Sequence, residues 1–165
     1  MRHRTTVLVA VTSVLTVLLP VATGPFHTAH AAPIVHSAAT DWAFVQHELF
    51  EVPIQQFIDD THHGDRWFDW TNDGCTAPLL GSRGRSYDFL LPCVRHDFGY
   101  RNLHRLERRY GTGRTFWNTV NRHRVDRQFL ADMHRHCRRR VWLLRPSCNI
   151  AALLYFMAVR TVGGP

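Results

Sequence analysis

The sequence predicts an all-α fold, a small helical domain with two longer helices that can lie antiparallel. Apolar residues recur at spacings of three and four along most of the chain, whereas the alternation typical of strands is weak. Four cysteines in a short chain can support such a domain through two disulfides. With 165 residues, 45% of them hydrophobic, the chain is long enough for one domain with a real core.

The N-terminal segment is typical of a cleaved secretory signal. Arg2 and Arg4 give a basic start, an apolar run extends from Val7 to Leu19, and a small-residue stretch ends at Ala31. The run is shorter than the roughly 20 residues that cross a bilayer, which argues against a membrane anchor. We expect a signal peptide at 1–31 and a single helical domain at 32–165, although a longer removed segment that ends before Trp42 stays open.

Two short helices and a long loop open the domain. The first helix spans Asp41 to Phe50, and the second begins at Pro53, a residue that suits the first helical position because no amide hydrogen is needed there. Asp69 to Pro92 then lacks helical periodicity and is rich in glycine and proline. An ordered loop of this length in a compact domain usually carries function.

Three further helices complete the predicted domain. They run from Pro92 to about Tyr110, from about Asn118 to Arg138 and from about Cys148 to Val162, and Gly111-Thr112-Gly113 ends the first of them. The inner face of the first of these helices is predicted to carry Cys93, His96, Tyr100, Leu103 and Glu107. That of the second is predicted to carry Val125, Phe129, Met133 and Cys137, with Asp126 and Leu130 beside them. That of the third is predicted to carry Ile150, Leu153, Leu154, Met157 and Ala158.

An even number of cysteines in an exported chain favours disulfides over metal binding. The four, Cys75, Cys93, Cys137 and Cys148, allow three pairings. The simplest joins neighbours along the chain, 75 with 93 and 137 with 148. The short CxxC spacing of zinc sites is absent from the sequence.

The positive charge of the chain favours a partner that bears phosphate. The formal net charge is +7, and every basic residue other than histidine is an arginine, which binds phosphate bidentately. Anionic lipid and nucleic acid both fit this charge, and a solvated basic surface is the alternative for most of these residues. The arginine-rich stretch 134–140 is interpreted as a solvated helix end that can touch anionic lipid.

His96 and Asp97 are the residues most suited to chemistry. Adjacent helical residues point about 100° apart, so the two side chains face different neighbours. Asp97 can turn toward the preceding loop, where Asp73 and the backbone carbonyl of Gly74 complete an oxygen-rich site suited to calcium. His96 can face the next long helix and act as a base, with Asp126 as the acceptor that orients it.

Asp132 is the rival acceptor for His96. It lies six residues after Asp126, about 240° around the helix, so only one of the two can share the face of Val125 and Phe129. The periodicity favours Asp126.

Three stretches closely resemble the secreted phospholipase A2 family of bacteria and fungi. They are Asp73-Gly74-Cys75-Thr76, the run from Pro92 to Asn102 that contains Arg95-His96-Asp97-Phe98-Gly99-Tyr100, and the run from Val125 to Met133. The resemblance covers about residues 66–160. The stretch from Tyr100 to Asp126 is longer than expected for the family, so we expect an extra turn near 111–118.

The resemblance implies both an activity and a set of site residues. Members of the family hold the site on two antiparallel, disulfide-supported helices, require calcium, and hydrolyse the sn-2 ester of glycerophospholipids to a lysophospholipid and a fatty acid. By position, His96 would be the general base, Asp126 its orienting partner, and Tyr100 a hydrogen-bond donor to Asp126. Asp73, the Gly74 carbonyl and Asp97 would bind Ca²⁺, and the implied disulfides are 75–93 and 137–148.

The sequence therefore predicts a secreted, calcium-dependent phospholipid hydrolase. We expect it to act as a monomer on a membrane or micelle surface, without an obligate protein partner and without nucleic acid. The alternative is a catalytically silent secreted protein that uses the same scaffold to bind membranes or nucleic acid. A secreted nuclease ranks below both, because the arginines cluster at a helix end instead of flanking His96.

Overall fold

A computed structural model describes residues 35–74 and 81–162, and within these ranges the regular structure is helical. Five α-helices and one 3-10 turn occur in the described residues, and the sole strand-like feature there is an isolated bridge between Arg83 and Asp88. The prediction of an all-α fold is confirmed. The predicted signal peptide at 1–31 lies outside the described residues, and the domain boundary at 32 stays a prediction. The helices are α1 (Ala38–Phe50), α2 (Ile54–His63), α3 (Leu90–Tyr110), α4 (Thr119–Arg138) and α5 (Arg145–Val162), with the 3-10 turn at Trp142–Leu144.

Helix starts follow local capping chemistry. α1 begins three residues earlier than predicted because Ser37, the residue before the helix, forms a reciprocal capping box with Thr40 of its first turn. Asn118 accepts from the amide of Asn121 at 2.9 Å and thereby caps α4. α3 begins at Leu90, which leaves Pro92 in the first turn, where its missing amide hydrogen costs nothing.

The pairs that meet between α3 and α4 show that these helices are antiparallel. Arg95 faces Asp132, His96 faces Phe129, and Tyr100 faces Asp126, so rising numbers on one helix meet falling numbers on the other. Gly99 allows the close approach, since a Cβ there would lie 2.7 Å from a methyl group of Val125.

The connection between α3 and α4 is held by one carboxylate. Glu107 accepts from the amides of Gly113, Phe116 and Trp117 at 3.0, 2.6 and 3.0 Å. The sequence places Glu107 on the inner stripe of α3, and in the structure it organises the loop instead. The connection thus carries its own internal scaffold, and an extra turn near 111–118 relative to the family stays a prediction.

The described residues form two apolar core clusters. The first joins α1, α2 and α3 and includes Val125 of α4, and the second joins the beginning of α3 to α4 and α5. The first contains Val45, Leu49, Phe57, Phe98, Leu103, Leu106 and Val125, and the second contains Phe89, Cys93, Phe129, Met133, Cys137, Cys148, Ala152 and Tyr155.

The predicted inner face of α5 is wrong. Ile150, Leu153, Leu154 and Met157 are 61%, 47%, 45% and 53% exposed, and Ala158 is half-buried. The buried positions are instead Cys148, Ala152 and Tyr155.

Two contacts set this orientation of α5. A disulfide joins Cys148 to Cys137 of α4, and the Tyr155 hydroxyl donates to the Gly81 carbonyl at 2.5 Å. α5 has two apolar faces, and hydropathy alone does not say which one packs. The spacing of Cys148, Ala152 and Tyr155 could have indicated the packed face, because a disulfide-bonded Cys148 must face its partner on α4.

Candidate active site

His96, Tyr100 and Asp126 form a buried hydrogen-bonded cluster between α3 and α4. The Nε2 atom of His96 lies 3.1 Å from Oδ1 of Asp126, and the Tyr100 hydroxyl donates to the same oxygen at 2.7 Å. His96 and Tyr100 are four residues apart and so share one face of α3. The side chain of Asp126 is fully buried, and that of His96 is 9% exposed.

The environment of Asp126 keeps this carboxylate ionised. Burial raises its pKa, but the hydrogen bonds from His96 and Tyr100, together with nearby positive charge, hold the pKa below its ordinary value. The second oxygen, Oδ2, lies 3.5 Å from Nη1 of Arg160 and 3.9 Å from Nε of Arg122. A buried anion with this support can stabilise a positive imidazolium.

Sequence reasoning missed both of these arginines. Arg122 lies four residues before Asp126 on α4, a spacing that could have indicated the contact. Arg160 belongs to α5, whose orientation the sequence did not determine. Arg122 also donates to the Arg160 carbonyl at 3.3 Å, which ties the end of α5 to the cluster.

The ring of His96 is clamped so that one nitrogen remains available. Tyr100 and Phe129 pack against it with ring centroids 4.3 and 4.7 Å away. With Nε2–H donated to Asp126, the basic nitrogen is Nδ1. In the part of the chain that the structure describes, Nδ1 has no protein hydrogen-bond partner. The arrangement suits general-base chemistry on a small molecule such as water.

Asp97 faces the preceding loop, one residue beyond His96 on α3. The backbone amide of Asp73 donates to Oδ2 of Asp97 at 3.0 Å. Burial raises the pKa of Asp97 to about 6, and the nearby charge of Asp73 adds to the shift. Gly74 has a left-handed backbone with φ of 61°, which a glycine adopts without the cost of a Cβ clash.

These residues fit calcium by donor chemistry. The carboxylates of Asp73 and Asp97 lie close together, and that of Asp97 is half-buried. Hard oxygen ligands of this kind are those that Ca²⁺ prefers. Among the described residues, no group of three or more His, Cys, Asp or Glu side chains is arranged to hold a metal. The ligand set of Asp73, Asp97 and the Gly74 carbonyl has only two such side chains, so it stays a prediction.

The loop that carries Asp73 is fastened to α3. Asn102, fully buried, accepts from the Asp69 amide and donates to the Asp69 carbonyl, both at 2.8 Å. Cys93 is disulfide-bonded. Its predicted partner, Cys75, lies outside the described residues, so that pairing stays a prediction, whereas the Cys137–Cys148 bond is present as predicted.

Asp132 lies away from His96. It is buried and forms ion pairs with Arg95, at 3.8 Å, and with Arg135. Asp126 and Asp132 point in different directions from α4, so when Asp126 lies against His96, Asp132 lies next to Arg95 instead. In the 134–140 stretch, Nε2 of His136 accepts from the Asp88 amide at 3.2 Å.

Comparison with known proteins gives consistent matches. The family model described as prokaryotic phospholipase A2 matches residues 45–163. A protein named secretory phospholipase A2 from Beauveria bassiana is 36% identical over 118 residues, which is 70% of this chain and 55% of that protein. One of the same name from Arthroderma benhamiae is 35% identical over 98 residues, 58% of this chain and 60% of that protein. The chain thus spans little more than half the length of these relatives.

Proposed function

The chain belongs to the prokaryotic phospholipase A2 family, and on that premise we propose that it is a secreted, calcium-dependent hydrolase of glycerophospholipids. The reaction is hydrolysis of the sn-2 ester, and the products are a lysophospholipid and a free fatty acid. The observation that carries the proposal is the buried His96–Asp126 pair, whose open nitrogen lies on the same helix as Asp97. The two relatives named secretory phospholipase A2 support both the activity and the export.

His96 acts as the general base. Its Nδ1 takes a proton from water as the water oxygen attacks the ester carbonyl carbon. The imidazolium that forms is stabilised by Asp126, which stays charged because Tyr100, Arg122 and Arg160 surround it. The same proton then passes to the departing glycerol oxygen as the carbon–oxygen bond breaks, so His96 ends the cycle neutral.

Asp73, Asp97 and the Gly74 carbonyl would hold calcium. When bound there, the ion supplies positive charge that polarises the ester carbonyl and stabilises the oxyanion. In the protein itself, Asn102 keeps the Asp73 loop against α3, and the Asp73 amide orients the Asp97 carboxylate.

The test is fatty-acid release from phosphatidylcholine vesicles, measured with calcium and again with a chelator. We expect release that requires calcium and that falls by about a thousandfold in His96→Ala, the size of a general-base contribution. A phosphatidylcholine labelled only in its sn-2 chain separates sn-2 from sn-1 cleavage.

Three outcomes would contradict parts of this proposal. Release that is indifferent to the chelator would exclude the calcium role, and full activity in His96→Ala would exclude the base. Vesicle binding by the parent protein without any hydrolysis would favour the catalytically silent membrane-binding alternative.

A further inference from the structure

An exposed apolar surface covers α5 and the turn that precedes it. We call it the α5 apolar face. Its six residues are Trp142, Leu143, Ile150, Leu153, Leu154 and Met157, which are 73%, 68%, 61%, 47%, 45% and 53% exposed. Single exposed apolar residues are ordinary on soluble proteins, but a contiguous set of large ones marks an interaction surface.

The geometry of α5 makes this surface continuous. At about 100° per residue, Ile150, Leu153, Leu154 and Met157 fall within about 100° of one another around the helix. Cys148, Ala152 and Tyr155, which pack on the protein, lie on the opposite side. One side of the helix therefore belongs to the core, and the other presents large apolar side chains to the surroundings.

The chain segment that carries this surface has charge of one sign. After Asp132 the sequence contains six arginines and neither aspartate nor glutamate. Arg138, Arg139 and Arg145, which flank the turn and the beginning of α5, are exposed. Bulky apolar residues, an exposed tryptophan and flanking arginines are the composition of helices that lie in the interface of an anionic membrane.

We infer that the α5 apolar face docks on an anionic phospholipid bilayer, with α5 lying in the plane of the interface. The choice of lipid as the occupant rests on the proposed function. The flanking arginines meet the headgroup phosphates, and the six apolar residues enter the boundary with the acyl chains.

α5 lies on the membrane and does not cross it. The segment Trp142–Thr161 is the one helical stretch among the described residues that is long and apolar enough to span a bilayer. However, Cys148 is joined to α4 by the disulfide, and Tyr155 is 1% exposed against the core. A helix that packs one face on its own domain cannot at the same time be surrounded by lipid.

A second copy of the chain fits this surface less well than lipid does. A two-fold contact places the same patch of both subunits face to face. Arg138, Arg139 and Arg145 would then oppose their own counterparts, and the segment after Asp132 contains no aspartate or glutamate to neutralise them. An anionic bilayer supplies the opposite charge directly.

Docking through α5 also brings the candidate site to the lipid. Arg160, in the last turns of α5, lies 3.5 Å from the Asp126 carboxylate. The candidate site is therefore in contact with α5, the helix that carries the docked face. An enzyme that docks through α5 stays close to its substrate between turnovers.

Sedimentation with vesicles tests the inference. The full chain carrying His96→Ala serves as the parent, so that the lipid stays intact, and is mixed with phosphatidylcholine vesicles or with equimolar phosphatidylcholine and phosphatidylglycerol. We expect tighter binding to the anionic vesicles. Replacing Ile150, Leu153, Leu154 and Met157 together by glutamine should weaken binding at least about 100-fold, because each side chain loses its transfer to an apolar phase.

Two controls locate the effect. Val120→Gln alters a residue of α4 that is 68% exposed but lies outside the α5 apolar face, and it should leave vesicle binding within about twofold of the parent, as expected for a surface change away from the contact. Arg138→Gln with Arg139→Gln should lower binding to anionic vesicles on the order of tenfold and bring it close to binding on phosphatidylcholine alone. Unchanged circular dichroism establishes that each variant is folded.

Fluorescence gives a second measurement that does not depend on the fourfold variant. Brominated lipid should quench the parent, because Trp142 enters the interface, and most of this quenching should disappear in Trp142→Phe. Equal quenching in both proteins, or vesicle binding by the fourfold variant equal to the parent, would overturn the inference. So would a concentration-dependent dimer that this variant abolishes without any change in lipid binding.

The two proposals fail separately. Vesicle binding through α5 by an otherwise unaltered chain that hydrolyses no phospholipid would end the proposed function and leave the docking surface. If the unaltered chain hydrolyses a dispersed short-chain phospholipid, but the parent and the fourfold variant bind vesicles equally, the proposed function stands and the docking surface is excluded.

Discussion

Two clusters of the same residue types lie in different parts of the molecule. In one, Asp126 accepts from His96 and Tyr100. In the other, Asp41 of α1 lies 2.8 Å from Nδ1 of His36 and accepts from the Tyr110 hydroxyl at 2.9 Å. Both aspartates are buried, so residue type and burial alone do not distinguish them.

The difference lies in the second nitrogen of each histidine. Nε2 of His36 lies 3.2 Å from a carboxylate oxygen of Asp65, and the ring stacks on Trp67 with centroids 4.3 Å apart. Both nitrogens of His36 are therefore occupied, whereas Nδ1 of His96 has no hydrogen-bond partner among the described residues. A cluster in which both histidine nitrogens have partners stabilises the fold. A cluster in which one histidine nitrogen has no partner can accept a proton there.

The histidine pair gives the largest expected effect. His96→Gln should lower kcat on a dispersed short-chain phospholipid by roughly a thousandfold, because the proposed general base is lost. His36→Gln should leave kcat within about threefold and lower the free energy of unfolding by about 1–3 kcal/mol, because buried Asp41 loses a partner. Initial rates and urea unfolding of both variants measure the contrast, and a comparable loss of kcat in His36→Gln would break it.

The aspartate pair sharpens the comparison. Asp126→Asn removes the charge that stabilises the imidazolium, so we expect kcat to fall by about a hundredfold or more. It also leaves Arg122 and Arg160 without their buried counter-ion, which should cost about 3 kcal/mol of stability. Asp41→Asn should lower stability by a similar amount and retain kcat in the folded fraction. The readout is kcat per folded molecule, with the folded fraction taken from denaturant unfolding.

The tyrosine pair should show the same contrast on a smaller scale. Tyr100→Phe and Tyr110→Phe each delete one hydrogen bond to a carboxylate, worth about 1–2 kcal/mol. We expect a fall in kcat of about tenfold or less for Tyr100→Phe, since Asp126 is then less well oriented, and an effect confined to unfolding for Tyr110→Phe. A larger kinetic effect from Tyr110→Phe would place the second cluster in the reaction.

Acid titration gives the smallest effect. Burial raises the pKa of Asp41, but hydrogen bonds involving His36, Trp67 and Tyr110 outweigh it and hold the pKa below the ordinary value of 3.8. Because the folded pKa is depressed, the stabilisation from Asp41 is fully present above pH 3.8, and it is lost as the pH falls from there through the folded pKa. Asp41→Asn should flatten the acid limb of an unfolding-against-pH profile, and an unchanged limb would show that Asp41 adds nothing to it.

Local patterns accounted for most of the fold. The spacing of Val125, Phe129, Met133 and Cys137 predicted α4 almost to the residue, because a helix with one buried face needs that period. Ser37 and Thr40 extended α1 beyond its apolar stripe through a polar capping box that hydropathy does not detect. For the site, the helical phase placed Asp126 and not Asp132 against His96.

The sequence by itself determined the helical architecture and the residues that meet across α3 and α4, since both follow from periods repeated within single helices. Only the tertiary structure decided the orientation of α5, the contacts of Arg122 and Arg160 with Asp126, and the presence of a second Asp–His–Tyr cluster. Each of these depends on the angle or distance between elements far apart in the chain. α5 shows the reason most clearly, because it has two apolar faces and the disulfide to Cys137 selects the one that packs.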